Sequence, residues 1–192
     1  VMPAMGVNLA GPHGDVSDDI IAFYEARARG GVGLIITEVT RIDGGAGISD
    51  PCQLSAYRLS DVAGLSRLTE AVHAWGTKIF IQLQHPGASA SPLITGSEAV
   101  APSAGFSPGG TPVRALSLEE CAKIEQKFIT SAQFSQMAGA DGVELHAAHG
   151  YLINNFLSPA MNDRSDAYGG NFENRMRFLL NIVAGIRKRC GD

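Results

Sequence analysis

The sequence predicts an α/β fold on a parallel sheet. Two patterns carry that prediction. Short apolar runs alternate with segments of helical periodicity, and strand-to-helix connections are long where helix-to-strand connections are only a few residues. An open doubly wound sheet and a barrel both satisfy this order. In either one, the long connections gather at the carboxyl ends of the strands, where parallel folds carry their sites.

Each element has its own reason. Residues 1–5 read as the end of a buried strand. Ser17 is placed to cap a helix, with Asp18 and Asp19 favourable to its dipole. Ile20, Phe23, Tyr24 and Ala28 form the apolar stripe of that helix, and Gly30 and Gly31 end it. Residues 32–38 are a near-continuous apolar run, as in a strand covered on both faces. Val62, Leu65, Leu68, Val72 and Trp75 recur at helical spacing before Gly76, and residues 78–83 are the strand that follows. Ser117-Leu-Glu-Glu120 is a capping box. It opens a helix on Ile124, Phe128 and Ala132 that ends at Gly139, before a strand over residues 142–146. A final helix over residues 171–188 carries Phe172, Met176, Leu179, Ile182, Val183 and Ile186, with Gly191 just beyond. The connections 40–59, 84–116 and 147–170 read as loops.

Composition narrows the function classes. Of 192 residues, 45% are hydrophobic and 18% charged, and 15 Lys and Arg against 19 Asp and Glu leave a net charge of −4. Neither a basic nucleic-acid binder nor a disordered chain has that balance. No window reaches the ~18 uncharged apolar residues of a membrane span. The 23 glycines exceed the usual ~7% and point to tight turns, or to backbone brought close to a ligand. Cys52, Cys121 and Cys190 are scattered and odd in number, so they make neither a disulfide framework nor a CxxC metal site. With no signal-peptide pattern at Val1, the expected location is the reducing cytoplasm.

Three apolar strands finish in functional side chains: Glu38, then Gln82 with His85, then His146 with His149. Polar groups repeated at the same point of successive units belong on one shared face, so a site is expected there. The competing reading is that each satisfies loop backbone locally. Two imidazoles three residues apart suit a metal, acid–base chemistry, or hydrogen bonds to an anionic oxygen. The His-Glu-x-x-His helix pattern and a defined third ligand are missing, so no metal is assigned. Tyr151 stands two residues beyond His149 as a proton donor. Residues 44–47 carry no phosphate-binding pattern and read as a mobile loop. Residues 105–110, with Pro102, Pro108 and Pro112 around them, read as a loop bordering the site. Cys52 has no activating base nearby in sequence and reads as an incidental thiol.

The run His146-Ala-Ala-His149-Gly-Tyr151-Leu-Ile-Asn-Asn-Phe-Leu-Ser-Pro159 is followed by Asn162-Asp-Arg164-Ser-Asp166-Ala-Tyr168-Gly-Gly170 and Glu173-Asn-Arg175. Together they resemble the Old Yellow Enzyme family, and within it the bacterial NADH:flavin oxidoreductase and enoate-reductase branch. Val32-Gly-Leu-Ile-Ile-Thr-Glu38 and Phe80-Ile-Gln82-Leu-Gln-His85-Pro-Gly87 match further family signatures in the same order, so the resemblance covers essentially the whole chain. It implies a (β/α)8 TIM barrel holding FMN at the carboxyl end of its strands. Such barrels typically need about 250 residues. Residues 1–192 are therefore expected to be a partial FMN-binding TIM-barrel domain, cut at both ends and supplying about the first four βα units.

Carried over position by position, the resemblance places Ala4, Met5 and Gly6 against the flavin at the first strand's end. Val39 approaches the flavin by backbone, Gln82 bonds its pyrimidine edge, and His146 also borders it. His146 and His149 bind the carbonyl oxygen of an activated alkene, and Tyr151 takes the proton donor's position. Gly6 departs from the Thr or Cys often found there, leaving no hydroxyl or thiol to tune the flavin. The 162–170 and 173–175 signatures read as organisers of a loop and a helix entry.

The implied function is an ene-reductase that passes hydride from NAD(P)H through FMN to the C=C bond of an enone or enoate. Its partner is then a small α,β-unsaturated carbonyl compound, with no nucleic acid and no membrane; a homo-oligomer is left open. Larger relatives add 4Fe-4S and FAD regions, and the remaining βα units are expected beyond Asp192. Alternatives are an NADH oxidase or demethylating flavoprotein of the same family. From other classes come a noncatalytic flavin-binding module and a metal-dependent barrel hydrolase.

Overall fold

In the computed structural model, which describes residues 1–107 and 109–191, helices follow the strands of the main sheet. The chain runs α1 (Asp18–Arg29), β1 (Leu34–Arg41), α2 (Asp61–His73), β2 (Lys78–Gln84) and a one-turn α3 (Pro92–Thr95). It continues through β3 (Ala99–Ala101), β4 (Gly105–Phe106), β5 (Pro112–Ala115), α4 (Leu118–Met137), β6 (Gly142–Leu145), α5 (Leu152–Leu157) and α6 (Phe172–Cys190). The caps read from sequence close as expected. Ser17 Oγ accepts from the Ile20 amide at 3.1 Å, and Ser117 and Glu120 hold each other's backbone N–H in a full capping box.

β1, β2 and β6 form a parallel sheet in that order, with Phe80 opposite Gly142 and Leu83 opposite Leu145. Residues 1–5 do not extend it as a full strand. Only Met2 joins, bridging Ile35 in parallel through Met2 N to Leu34 O and Ile36 N to Met2 O. Pro3 follows and has no N–H to continue the ladder. Even so, four parallel positions are each followed by a helix (α1, α2, α4 and α6), which is the repeat of a (β/α)8 barrel. β2 is the central strand and its side chains are buried almost throughout; β6 is half-buried, and among the described residues no strand pairs with its far edge.

Ile35, Ile79, Ile81 and Leu83 of the sheet meet Leu65, Leu68 and Val72 of α2 and Phe128 of α4 in one fully buried core. Phe178 of α6 stacks on Phe156 of α5, with ring centroids 4.2 Å apart. α4 and α6 approach so closely that a Cβ on Gly185 would stand 2.2 Å from Ile129 Cδ1. The apolar positions of α6 therefore divide. Phe178 and Ile182 are buried, Phe172 is exposed, and Val183 and Ile186 border a cavity of about 370 Å3 beside the open edge of β6. Trp75 likewise lies outside the core, half exposed, its Nε1 donating to Glu25.

All three connections read as loops contain structure. β3, β5 and β4 form a small second sheet, parallel between β3 and β5 and antiparallel between β5 and β4. Pairing across the sequence, rather than local apolar pattern, makes those strands, which is why Gly105 and Phe106 gave no strand signal. Pro108 lies outside the described residues. Residues 152–157 wind into α5, six residues too short to display a helical stripe. Residues 44–47, expected as a mobile loop, contain a 3-10 turn in which Gly47 N bonds Gly44 O and Gly47 is buried.

Candidate active site

The parallel register brings the three strand ends together. Val39 on β1 pairs with Gln82 on β2, and Gln82 pairs with Glu144 on β6. Residues 4–6 lie between Met2, which bridges Ile35, and Val7, whose amide donates to Glu38, both anchors being within β1. Ala4 is half-buried, Met5 is 51% exposed, and a Cβ on Gly6 would meet nothing within 4 Å. The assigned residues Ala4, Met5, Gly6, Val39, Gln82 and His146 thus lie along one rim.

Of the polar groups expected to converge there, two are locked into backbone. Glu38 is fully buried, and its carboxylate accepts the amides of Val7 at 2.7 Å, Asn8 at 3.0 Å and Leu54 at 3.1 Å. It sits where the β1–β2 register shifts, between Ile36 and Val39. The amide of Gln82 turns there to Thr37 Oγ1, while that of Glu38 donates to the Tyr24 hydroxyl at 2.6 Å. His85 is buried, its Nδ1 accepting from the Gly87 amide, and burial lowers its pKa to about 4. For Glu38 and His85 the expected site role gives way to local support of loops.

The end of β6 is different. His146 N donates to Leu83 O, which continues the ladder by one residue. His149 then adopts φ 58° and Gly150 φ 75°, two left-handed residues in succession that fold the chain back. The turn sets His149 Nδ1 3.2 Å from His146 Nε2, and the Tyr151 ring edge-on to His146 with centroids 4.7 Å apart. His146 Nδ1 accepts from the Ala148 amide at 3.4 Å. That bond assigns the His146 proton to Nε2, so His146 donates and His149 Nδ1 accepts, which leaves the His149 proton on Nε2. Burial, and then the neighbouring His149 ring, hold His146 below its ordinary pKa, which favours its uncharged form.

Sequence reasoning passed over three residues here. Glu144 accepts from Gln82 Nε2 at 2.5 Å; a carboxylate inside an apolar strand was its readable signal. Asn154 and Asn155 bond the turn itself, and nothing in the residue pattern marks them. Arg164 organises a loop, as its signature suggested, donating to Pro102 O, Leu116 O and Asp166. Cys52 is half-buried and its amide donates to Asn8 Oδ1. Among the described residues, no group of three or more His, Cys, Asp or Glu is placed to hold a metal ion, and no helix is long and apolar enough to cross a membrane.

An imidazole pair and a phenol gather at the carboxyl end of a parallel β/α strand, the face on which β/α folds carry their sites. Residues 1–192 match the NADH:flavin oxidoreductase / NADH oxidase family throughout, and the chain belongs to that family. It is 49% identical to an NADH oxidase of Thermoanaerobacter brockii, an alignment covering 100% of this chain and 30% of that protein. It is 44% identical to a cinnamate reductase of Clostridium sporogenes, covering 90% of this chain and 27% of that one. The structure of an old yellow enzyme homologue from Zymomonas mobilis superposes with a TM-score of 0.89 at 33% identity, over 99% of this chain and 56% of that one. The chain therefore spans between about a quarter and a little over half of these relatives, as part of a TIM barrel.

Proposed function

We propose that this chain supplies the flavin-facing rim and the proton-handling groups of an FMN-dependent ene-reductase acting on enones or enoates. The observation that carries the reading is the His146–His149–Tyr151 cluster, two imidazoles whose nearest ring nitrogens are 3.2 Å apart beside a phenol.

The residues present suit the ring of FMN. Met5 and Gly6 offer an open apolar edge, and Gln82, one N–H of which is held by Glu144, offers its Oε1 and its other N–H to an imide-like edge. None of the assigned residues is Lys or Arg, so the set fits the ring and not the phosphate. When bound, FMN supplies the hydride that NAD(P)H has provided.

Everything else falls to the side chains. As hydride reaches the β-carbon, electron density moves onto the substrate's carbonyl oxygen. That oxygen takes the place of His149 Nδ1 as acceptor for the His146 Nε2–H, and His149 supplies a second N–H. N–H donors preset by the turn stabilise this charge with little reorganisation. Tyr151 delivers the proton to the α-carbon.

Replacing Tyr151→Phe in the FMN-loaded protein is expected to slow alkene reduction by roughly 10²–10⁴. Bleaching of the flavin absorbance by NAD(P)H in the absence of alkene should barely change. Equal loss of both rates would overturn the assignment. The similarity to an NADH oxidase motivates a second arm. Oxygen-dependent NADH consumption that ignores Tyr151→Phe, with no enone reduced, would favour an oxidase.

A further inference from the structure

Gly150 separates the second imidazole from the phenol, and both of its backbone polar groups are held by side chains of the next helix. Its N–H donates to Asn154 Oδ1 at 2.9 Å, and its carbonyl accepts from Asn155 Nδ2 at 2.7 Å, with Ser89 Oγ a longer third partner at 3.3 Å. Asn155 is fully buried. Its Oδ1 accepts the Ala88 amide at 3.1 Å and its Nδ2 also reaches Met161 Sδ at 3.3 Å. One amide therefore ties together the connection after β2, the His149–Tyr151 turn and the segment after α5.

The turn needs such support. A left-handed backbone at a non-glycine residue such as His149 is strained. The fit around Asn155 is tight as well. Gly87 has φ 60°, and a Cβ there would stand 2.5 Å from Asn155 Oδ1 and 2.7 Å from Leu152 Cα.

We propose that Asn154 and Asn155 are positioning residues: by fixing the two peptide units of Gly150 they set the Tyr151 phenol against the His146–His149 pair. Neither touches the reacting atoms. They act through the peptide, and a displacement of about 1 Å at a reacting group costs up to 10²-fold in rate. The consequence for alkene reduction rests on the function proposed above; the placement of the rings does not.

The test uses the FMN-loaded protein with two readouts. One is the 15N NMR signals of the His146 and His149 imidazoles, recorded without substrate. The other is kcat and KM for cyclohexenone. Asn155→Asp keeps the shape, removes the donor to Gly150 O and sets an oxygen against it. Asn154→Ala removes the acceptor for Gly150 N–H, and Asn154→Asp restores it. Asn155→Asp and Asn154→Ala should shift both imidazole signals and lower kcat about 10- to 100-fold, with KM changed less than about threefold. Asn154→Asp should bring both readouts back.

Unchanged imidazole signals in Asn155→Asp and Asn154→Ala would overturn the proposal whatever the enone assay gives. So would a loss of kcat matched by loss of bound FMN, which marks a merely structural role. Signals that move and recover as described, in a protein that reduces no enone at all, would support the positioning and refute the ene-reductase reading. If Asn155→Asp does not fold, the half-buried Asn154 carries the test through its own pair of variants.

Discussion

In the second half of β1, which runs three residues beyond the expected end at Glu38, the Glu38 carboxylate is 1% exposed and saturated by three backbone amides. At the end of β6, His146 is bonded to another side chain, His149, whose ring is exposed. Both residues are polar, Glu38 stands within β1 and His146 just past β6, and the two strands flank the same central β2. What separates them is what their hydrogen-bonding capacity is spent on. A carboxylate that has taken three amides holds loops in place and has little left for a ligand. An imidazole whose partner is a second, exposed imidazole can exchange that partner for a substrate oxygen. His85, at the end of β2, belongs with Glu38: buried, and engaged with the Gly87 amide.

The contrast can be pressed with substitutions. The largest effect is expected at β6. His146→Ala should lower alkene reduction by about 10²–10³, the weight of one donor at a developing oxyanion, while the urea midpoint moves little. A large midpoint shift would place His146 with the loop-holding residues instead.

His85 comes next, read through pH. Its folded pKa of about 4 lies below the ordinary 6.5, so the unfolded chain binds the extra proton first. The corresponding stability is fully present above pH 6.5 and is lost as pH falls toward 4, about 3 kcal/mol in all. Urea titrations at pH 7 and pH 4.5 would show it, and His85→Gln should flatten the difference. Glu120, held down at about 2 chiefly by Arg114, loses its contribution only below the ordinary carboxylate range, so the two windows stay distinct.

The smallest of the three lies at β1. Glu38→Gln keeps the shape but turns an N–H donor toward amides that need acceptors. A loss of about 2 kcal/mol of stability is expected from urea unfolding. Unaltered stability would mean that Glu38 is not the brace its three bonds describe.

Much of the scaffold was legible because it is local. Ser17 and Ser117 cap their helices through residues three positions away, and Leu65, Leu68 and Val72 repeat at helical spacing. Elements made by distant pairing were not legible. β4 exists only because Gly105 and Phe106 meet Val113 and Pro112. α6 shows the limit of periodicity: Phe178 is buried because α5 supplies Phe156 to stack on, while Phe172, equally apolar, faces outward.

The site divides along the same line. Sequence alone determined the order of βα units, the helix caps, and the presence of His146, His149 and Tyr151 just past a strand end, since each depends on residues close in the chain. Only the tertiary structure decided which strand-end groups remain exchangeable. Glu38 is saturated by Val7, Asn8 and Leu54, up to 31 residues away. His146 meets His149 because a left-handed turn, held by Asn154 and Asn155, folds one ring toward the other. A side chain's type is written in the sequence, but its hydrogen-bond partners come from whichever loops the fold brings beside it, and those partners decide whether it supports the structure or serves a ligand.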